Sequence, residues 1–223
     1  MIQYNYLDEN NQAGKNGLLH AASMGIPVMI MEPLRGGMLA NKLPKGAIKA
    51  FEQASIKRSP AEWSFRWIWN QAEPTCVLSG MNSMEMLKEN IEVAKSSNVG
   101  DFTSKDIEVI TNAKKAFDEV IKIPCTGCSY CMPCPQGVDI PTCLSCYNSR
   151  YIEGNFRAFA YYLMQTSMRA KPRFASLCNQ CGKCEKICPQ KIEIRKELKK
   201  TSKAIEKFYF KPIVFFVKRF MRL

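Results

Sequence analysis

Along the first hundred residues, short apolar runs alternate with stretches of helical periodicity. Residues 2–7 read as a short strand, and residues 17–24 as a helix that stops at Gly25. Residues 26–31 are almost continuously apolar, the pattern of a strand buried on both faces. Residues 45–57 read as helix. Ser59-Pro60-Ala61-Glu62 is a helix start, with a capping Ser, Pro in the first turn and Glu three residues on. Residues 75–79 read as another buried strand, with Cys76 in the core. Residues 83–94 then form a helix carrying Met84, Leu87 and Ile91 on one face. This alternation implies parallel strands joined by helical crossovers. Residues 103–122 read as one long helix, with Ile107, Ile110, Ala113, Phe117 and Val120 at helical spacing. It bridges to the cysteine-rich part, and no low-complexity linker separates the halves, so they are expected to pack together.

Charge and cysteine divide the 223-residue chain in the same place. Residues 1–100 carry a net charge of +1, and residues 101–223 carry +11. Of eleven cysteines, ten lie between Cys125 and Cys188. We therefore read a conventional domain over residues 1–100 and a bridging helix over 101–122. A cysteine-rich domain follows over 123–194, then a basic amphipathic tail over 195–223. No apolar run approaches the roughly 20 residues of a membrane span. The first residues lack the charged and apolar regions of a signal peptide, which points to the cytoplasm.

Two cysteine runs carry the chemistry. One is Cys125-Thr-Gly-Cys128-Ser-Tyr-Cys131-Met-Pro-Cys134-Pro135, and the other is Cys178-Asn-Gln-Cys181-Gly-Lys-Cys184-Glu-Lys-Ile-Cys188-Pro189. The second has the full bacterial ferredoxin spacing, and the first is one residue shorter before its last Cys-Pro. Three closely spaced thiolates wrap three irons of a cubane. The fourth iron faces away, and the Pro turns the fourth sulfur toward the other cluster. This assigns Cys125, Cys128, Cys131 and Cys188 to one [4Fe–4S] cluster, and Cys178, Cys181, Cys184 and Cys134 to a second. Gly127 and Gly182 allow backbone N–H groups to approach the inorganic sulfide. Zinc competes as a reading but takes four ligands, commonly as two C-x2-C pairs. Disulfides conflict with the compartment. Cys143 and Cys146 share one helical face, as small buried hydrophobes or as a substitute ligand or redox pair; the first reading is preferred.

The two runs resemble a two-cluster bacterial-type ferredoxin domain, with a long helical insert over residues 135–177. A second resemblance lies upstream, in Gln3-Tyr-Asn-Tyr-Leu7, Glu32-Pro-Leu-Arg-Gly-Gly37, Leu78-Ser-Gly-Met-Asn82 and Leu87-Lys-Glu-Asn90. These stretches resemble the last three βα units of an aldo/keto reductase that carries a C-terminal 4Fe-4S domain. The implied fold class is α/β plus α-helical: the C-terminal part of a (β/α)8 TIM barrel, followed by a mostly helical two-cluster ferredoxin-like domain.

The resemblance implies NAD(P)H binding in a full-length form. Gln3 would lie under the nicotinamide, and Pro33, Leu34 and Gly36 beside the pyrophosphate. Ser79, Gly80, Met81 and Asn82 would form a phosphate loop, with Glu89 and Asn90 on the adenine side. Glu32 departs from the family, because a carboxylate repels a pyrophosphate unless it turns away. The family's catalytic Asp, Tyr, Lys and His belong to the first half of the barrel. His20, the only histidine, sits on a predicted helix and reads as a packing or surface residue. Three strands cannot close a barrel. The chain is therefore expected to be the C-terminal portion of a longer enzyme, with a missing N-terminal half-barrel as partner and no catalysis of its own.

From Arg195 to Leu223 there are ten basic and two acidic residues. No nucleic-acid recognition motif accompanies them, so nucleic acid is not expected as a partner. The charge suits an acidic electron carrier such as a flavodoxin or ferredoxin. Residues 208–220 are also aromatic and basic, which suits contact with a membrane surface. The preferred reading of the tail is a helix packed on the protein with solvated lysines.

Overall fold

The computed structural model describes residues 1–168 and 171–220, apart from the side chain of Phe220. It divides into two units, Met1–Glu119 and Val120–Leu223. The described residues are mostly helical, with eleven α-helices and three strands.

The first unit runs β1 (Ile2–Gln3), α1 (Gly14–Ser23), β2 (Val28–Met31), α2 (Met38–Asn41), α3 (Lys45–Glu52), α4 (Pro60–Trp69), β3 (Pro74–Val77), α5 (Met84–Lys95) and α6 (Ser104–Val120). The strands are parallel, in the order β1-β2-β3. Strand β1 is shorter than the apolar pattern suggests. Asn5 Oδ1 accepts hydrogen bonds from the backbone N–H groups of Leu7 and Asp8, both at 3.0 Å, and turns the chain out of the sheet. The starts of α4 and α5 fall where the sequence puts them, whereas α1 begins three residues earlier than expected, at Gly14. Ser59 Oγ accepts the Glu62 N–H at 3.0 Å, and Ser83 Oγ accepts the Met86 N–H at 3.3 Å.

One sheet face carries Ile2, Val28, Ile30 and Val77 and packs with Tyr4, Leu18 and Ile68. The other carries Gln3 opposite Met31 and Met29 opposite Cys76. Met29 and Cys76 are exposed on it. The expectation of strands buried on both faces, and of Cys76 in the core, is thus corrected: the second face is covered at Gln3 but open at Met29 and Cys76. Helix α5 likewise leaves Met84 and Ile91 exposed and buries Val93.

Helix α6 belongs to the first unit's core through Ile110, Ala113 and Phe117. Its start is a reciprocal cap, with the Thr103 N–H donating to Asp106 Oδ2 at 2.9 Å and the Asp106 N–H donating to Thr103 Oγ1 at 3.2 Å. Burial pushes the Asp106 carboxyl up, but the Thr103 bonds and Arg58, 2.9 Å away, outweigh it and hold it below its ordinary value. A buried polar knot ties β1 to the loop after β2. Asp8 Oδ2 accepts from Gln3 and Asn5, each at 3.0 Å, and the Arg35 Nε lies 3.2 Å away.

The second unit contains α7 (Ile140–Ile152), α8 (Asn155–Ser167), a 3-10 turn (Ala175–Leu177), α9 (Lys183–Lys186), α10 (Ile194–Ile205) and α11 (Phe210–Phe220). Its core includes Ile140, Leu144, Tyr162, Ile194, Leu198 and Phe210, so α10 and the start of α11 are part of the packed unit. Asn148, buried on α7, fastens the segment that leads to the first cysteine. Its Oδ1 accepts the N–H groups of Lys122 and Ile123, both at 3.0 Å, and its Nδ2 donates to the Ile123 carbonyl at 2.7 Å. Among the described residues, no helix is long and apolar enough to cross a membrane.

Candidate metal centre

The two cysteine runs adopt the same backbone path. Each has a residue of positive φ before its second cysteine, Gly127 at 74° and Gln180 at 64°. Each has another just after it, Ser129 at 63° and Gly182 at 75°. Glycine fills only one of the two left-handed positions in each run, so Ser129 and Gln180 do there what Gly127 and Gly182 were expected to do. Equivalent hydrogen bonds close the turns. Met132 N donates to Ser129 O at 2.9 Å, and Glu185 N donates to Gly182 O at 3.2 Å. Alternating conformations of this kind point successive N–H groups into a concavity that accepts anionic sulfur. In the second run the Gln180 N–H already donates to Cys178 Sγ at 3.4 Å.

The likeness continues past each Cys-Pro. Cys134-Pro-Gln-Gly-Val-Asp-Ile140 parallels Cys188-Pro-Gln-Lys-Ile-Glu-Ile194. Gly137 (φ 73°) donates to the Cys134 carbonyl at 2.9 Å, and Lys191 (φ 52°) donates to the Cys188 carbonyl at 3.0 Å. Each segment then enters a helix, α7 or α10, whose first residue, Ile140 or Ile194, is buried in the shared core. The two cysteine loops and the helix starts they lead into are therefore a structural repeat. The runs differ between third and fourth cysteine, where the first passes through Met132-Pro133 and the second through the single turn α9.

Two cavities follow from this geometry. Cys125, Cys128, Cys131 and Cys188 line the first. Cys178, Cys181, Cys184 and Cys134 line the second, which Cys131 also borders. The fourth cysteine of each run thus sits with the other run's first three. One observation fits an iron–sulfur cluster. Thr126 Oγ1 and Gln190 Nε2 are buried without a hydrogen-bond partner, and both residues line the first cavity. Burial pushes the Cys131 thiol up to about 12, with Cys125 and Cys128 adding repulsion. Burial, then Glu185, raises the Cys184 thiol. Metal binding must therefore displace protons here, and assembly is favoured as pH rises.

Sequence comparison decides the chemistry. Residues 124–198 match the 4Fe-4S dicluster domain. The match spans both runs and the helical insert between them, so this dicluster domain binds iron–sulfur clusters. No curated protein and no solved structure gives a significant match to the chain. Cys143 and Cys146 are fully buried in the dicluster domain's core and are not among the residues lining either cavity. Burial raises the Cys143 thiol well above its ordinary value, and its Sγ lies 3.9 Å from the Tyr162 hydroxyl. Tyr162 in turn donates to Glu206 at 2.5 Å and accepts the Ala175 N–H at 2.7 Å. That chain of bonds steadies the turn entering Cys178.

In the first unit, Pro33, Leu34, Gly36, Ser79, Gly80, Met81, Asn82, Glu89 and Asn90 line one cavity. Gln3 is not among its lining residues; its amide is held by Asp8 and Gln12. The charge of this cavity does not suit a pyrophosphate. Glu32 and Glu89 line it, and no Lys or Arg does among the described residues. The Glu32 carboxylate lies against the Gly36 turn, 3.8 Å from where a Cβ would stand. On α11, Phe210 is buried while Phe215 and Phe216 are exposed beside Lys211 and Arg219.

Proposed function

We propose that residues 124–198 hold two [4Fe–4S] clusters, ligated crosswise, and relay single electrons between redox partners. The observation that carries this is that eight cysteines line two cavities, each bordered by the first three of one run and the last of the other, with Cys131 also at the edge of the second. The duplicated backbone supports two centres rather than one. A bound cluster supplies one-electron exchange at low potential. The chain supplies the thiolates, the inward N–H groups and an apolar wall. The excess of basic residues from Arg195 onward favours an acidic electron carrier as partner.

Anaerobically purified protein should be brown and contain about eight irons and eight sulfides per chain. Dithionite should reduce it to a paramagnetic state without loss of helical circular dichroism. Colourless protein holding zinc would overturn the proposal. Clusters that cannot be reduced without unfolding would leave them a structural role.

A second reading concerns the first unit, as the closing portion of an aldo/keto reductase-like barrel. It is supported by the cavity lined by nine of the ten residues that the resemblance implies. The open edges of β1 and β3 and the exposed Met29 and Cys76 also suit further strands packed against this sheet. On this reading NAD(P)H binding needs those strands. The two carboxylates of the cavity predict that this chain alone does not enhance NADPH or NADH fluorescence. Enhancement at micromolar protein would show that the cavity suffices.

A further inference from the structure

The two cysteine-lined cavities share a backbone but not their outer contacts, and the difference falls on two equivalent pairs of residues. Thr126 follows the first cysteine of its run, as Asn179 does in the other. Gln190 follows the Cys188-Pro189 pair, as Gln136 follows Cys134-Pro135. At the first cavity both members are inside. Thr126 and Gln190 line it, and the Thr126 hydroxyl and the Gln190 amide nitrogen are each buried with no partner in the protein. At the second cavity the counterparts are exposed to solvent. Asn179 stands on the rim, and Gln136 is not among the lining residues. A buried donor left unbonded is costly, and native structures rarely retain one without a use. Here two such donors, from different loops, border the same four thiols.

We infer that Thr126 Oγ1 and Gln190 Nε2 donate hydrogen bonds to sulfur of the cluster held by Cys125, Cys128, Cys131 and Cys188, and so set its reduction potential apart from that of the second cluster. The inference rests on the two-cluster reading proposed above. Reduction adds an electron to an anionic cluster, and hydrogen bonds to its sulfurs stabilise the more negative state. Losing a donor therefore makes that centre harder to reduce. Thr126 and Gln190 act on the sulfur shell directly and supply no iron ligand. Ser129 and Gln180, whose role is backbone conformation, are not part of this effect.

The test is a redox titration of the anaerobic holoprotein followed by EPR, with iron counted in every sample. Thr126→Val keeps the shape and removes the donor, and Gln190→Leu does the same for the amide. Each should weaken reduction of one centre about tenfold, a shift of about 59 mV to lower potential for one electron. The other centre should stay where it is. Asn179→Val and Gln136→Leu serve as counterparts and should shift neither centre by a comparable amount. Full iron content with unchanged potentials in both Thr126→Val and Gln190→Leu would overturn the inference while leaving the two-cluster reading intact. Equal shifts at both centres would overturn it too, because a general loosening of the fold does not choose a cavity. Should one variant lose iron, the other still decides the matter, since the donors come from separate loops. Wild-type protein with a single centre would instead remove the reading on which the inference stands.

Discussion

Replacing Cys188 with Ser abolishes the cluster that the first cysteine run holds and spares the one held by the run in which Cys188 lies. The expected iron content falls to about half, and one of two EPR signals disappears. The reason is geometric. Cys188 lines the cavity of Cys125, Cys128 and Cys131, while Cys134 lines that of Cys178, Cys181 and Cys184. A serine hydroxyl is a hard and far less acidic donor than a thiol, and it replaces thiolate sulfur poorly at an iron. Four variants make the test independent of which signal belongs to which site. Cys188→Ser and Cys125→Ser should lose the same signal, and Cys134→Ser and Cys178→Ser the other. If Cys188→Ser and Cys178→Ser lost the same signal, ligation would follow the sequence runs instead of crossing between them. Circular dichroism of each variant separates loss of a cluster from loss of the helices.

How far the sequence reveals the site depends on which interactions are local. Cysteine spacing is local, so the eight cysteines that line the two cavities, and the crossing of each run's fourth, can be read directly. Helix starts at Ser59 and Ser83 are local too, since each cap bond spans three residues. The left-handed positions are harder. Gly127 and Gly182 announce themselves, whereas Ser129 and Gln180 carry no such signal until the two runs are aligned. That alignment also uncovers the repeat after each Cys-Pro, which spacing rules miss because they stop at the proline. Burial of the strands is not local at all. Residues 26–31 look the same whether one sheet face or both are covered, and only the whole chain shows Met29 and Cys76 exposed. Thr126 and Gln190 lie 64 positions apart, and nothing in either segment says that both line one cavity.

Removing iron should unfold the second unit and leave the first one standing. The two segments that build the cavities, residues 124–139 and 171–193, hold little regular structure: one 3-10 turn and the single turn of α9. Fixing a residue's backbone costs about 1–2 kcal/mol in entropy, and these loops make few backbone bonds to offset it. On the two-cluster proposal, attachment to metal fixes them: Cys125, Cys131, Cys134, Cys178, Cys184 and Cys188 pack against the core formed by α7, α8 and α10, so bound clusters would join loops to helices. Without iron, Cys131 and Cys184 are protonated at neutral pH, because burial raises both, and neutral thiols do not bind one another. The first unit depends on none of this. Its core holds Trp63, Phe65 and Phe117 in full burial, with Arg58 stacked 4.5 Å above the Trp63 ring. Calorimetry of the holoprotein should show two transitions. After anaerobic chelation, the transition of the second unit should vanish or fall by several kcal/mol, the scale on which structural metals support small domains, while that of the first unit stays in place. Loss of helical signal from the second unit would mark unfolding, whereas a retained helical signal with binding of a hydrophobic dye would mark a loosely packed core. Two unchanged transitions in iron-free protein would mean that the helices alone hold the cysteine loops, and that the clusters are passengers in a fold already made.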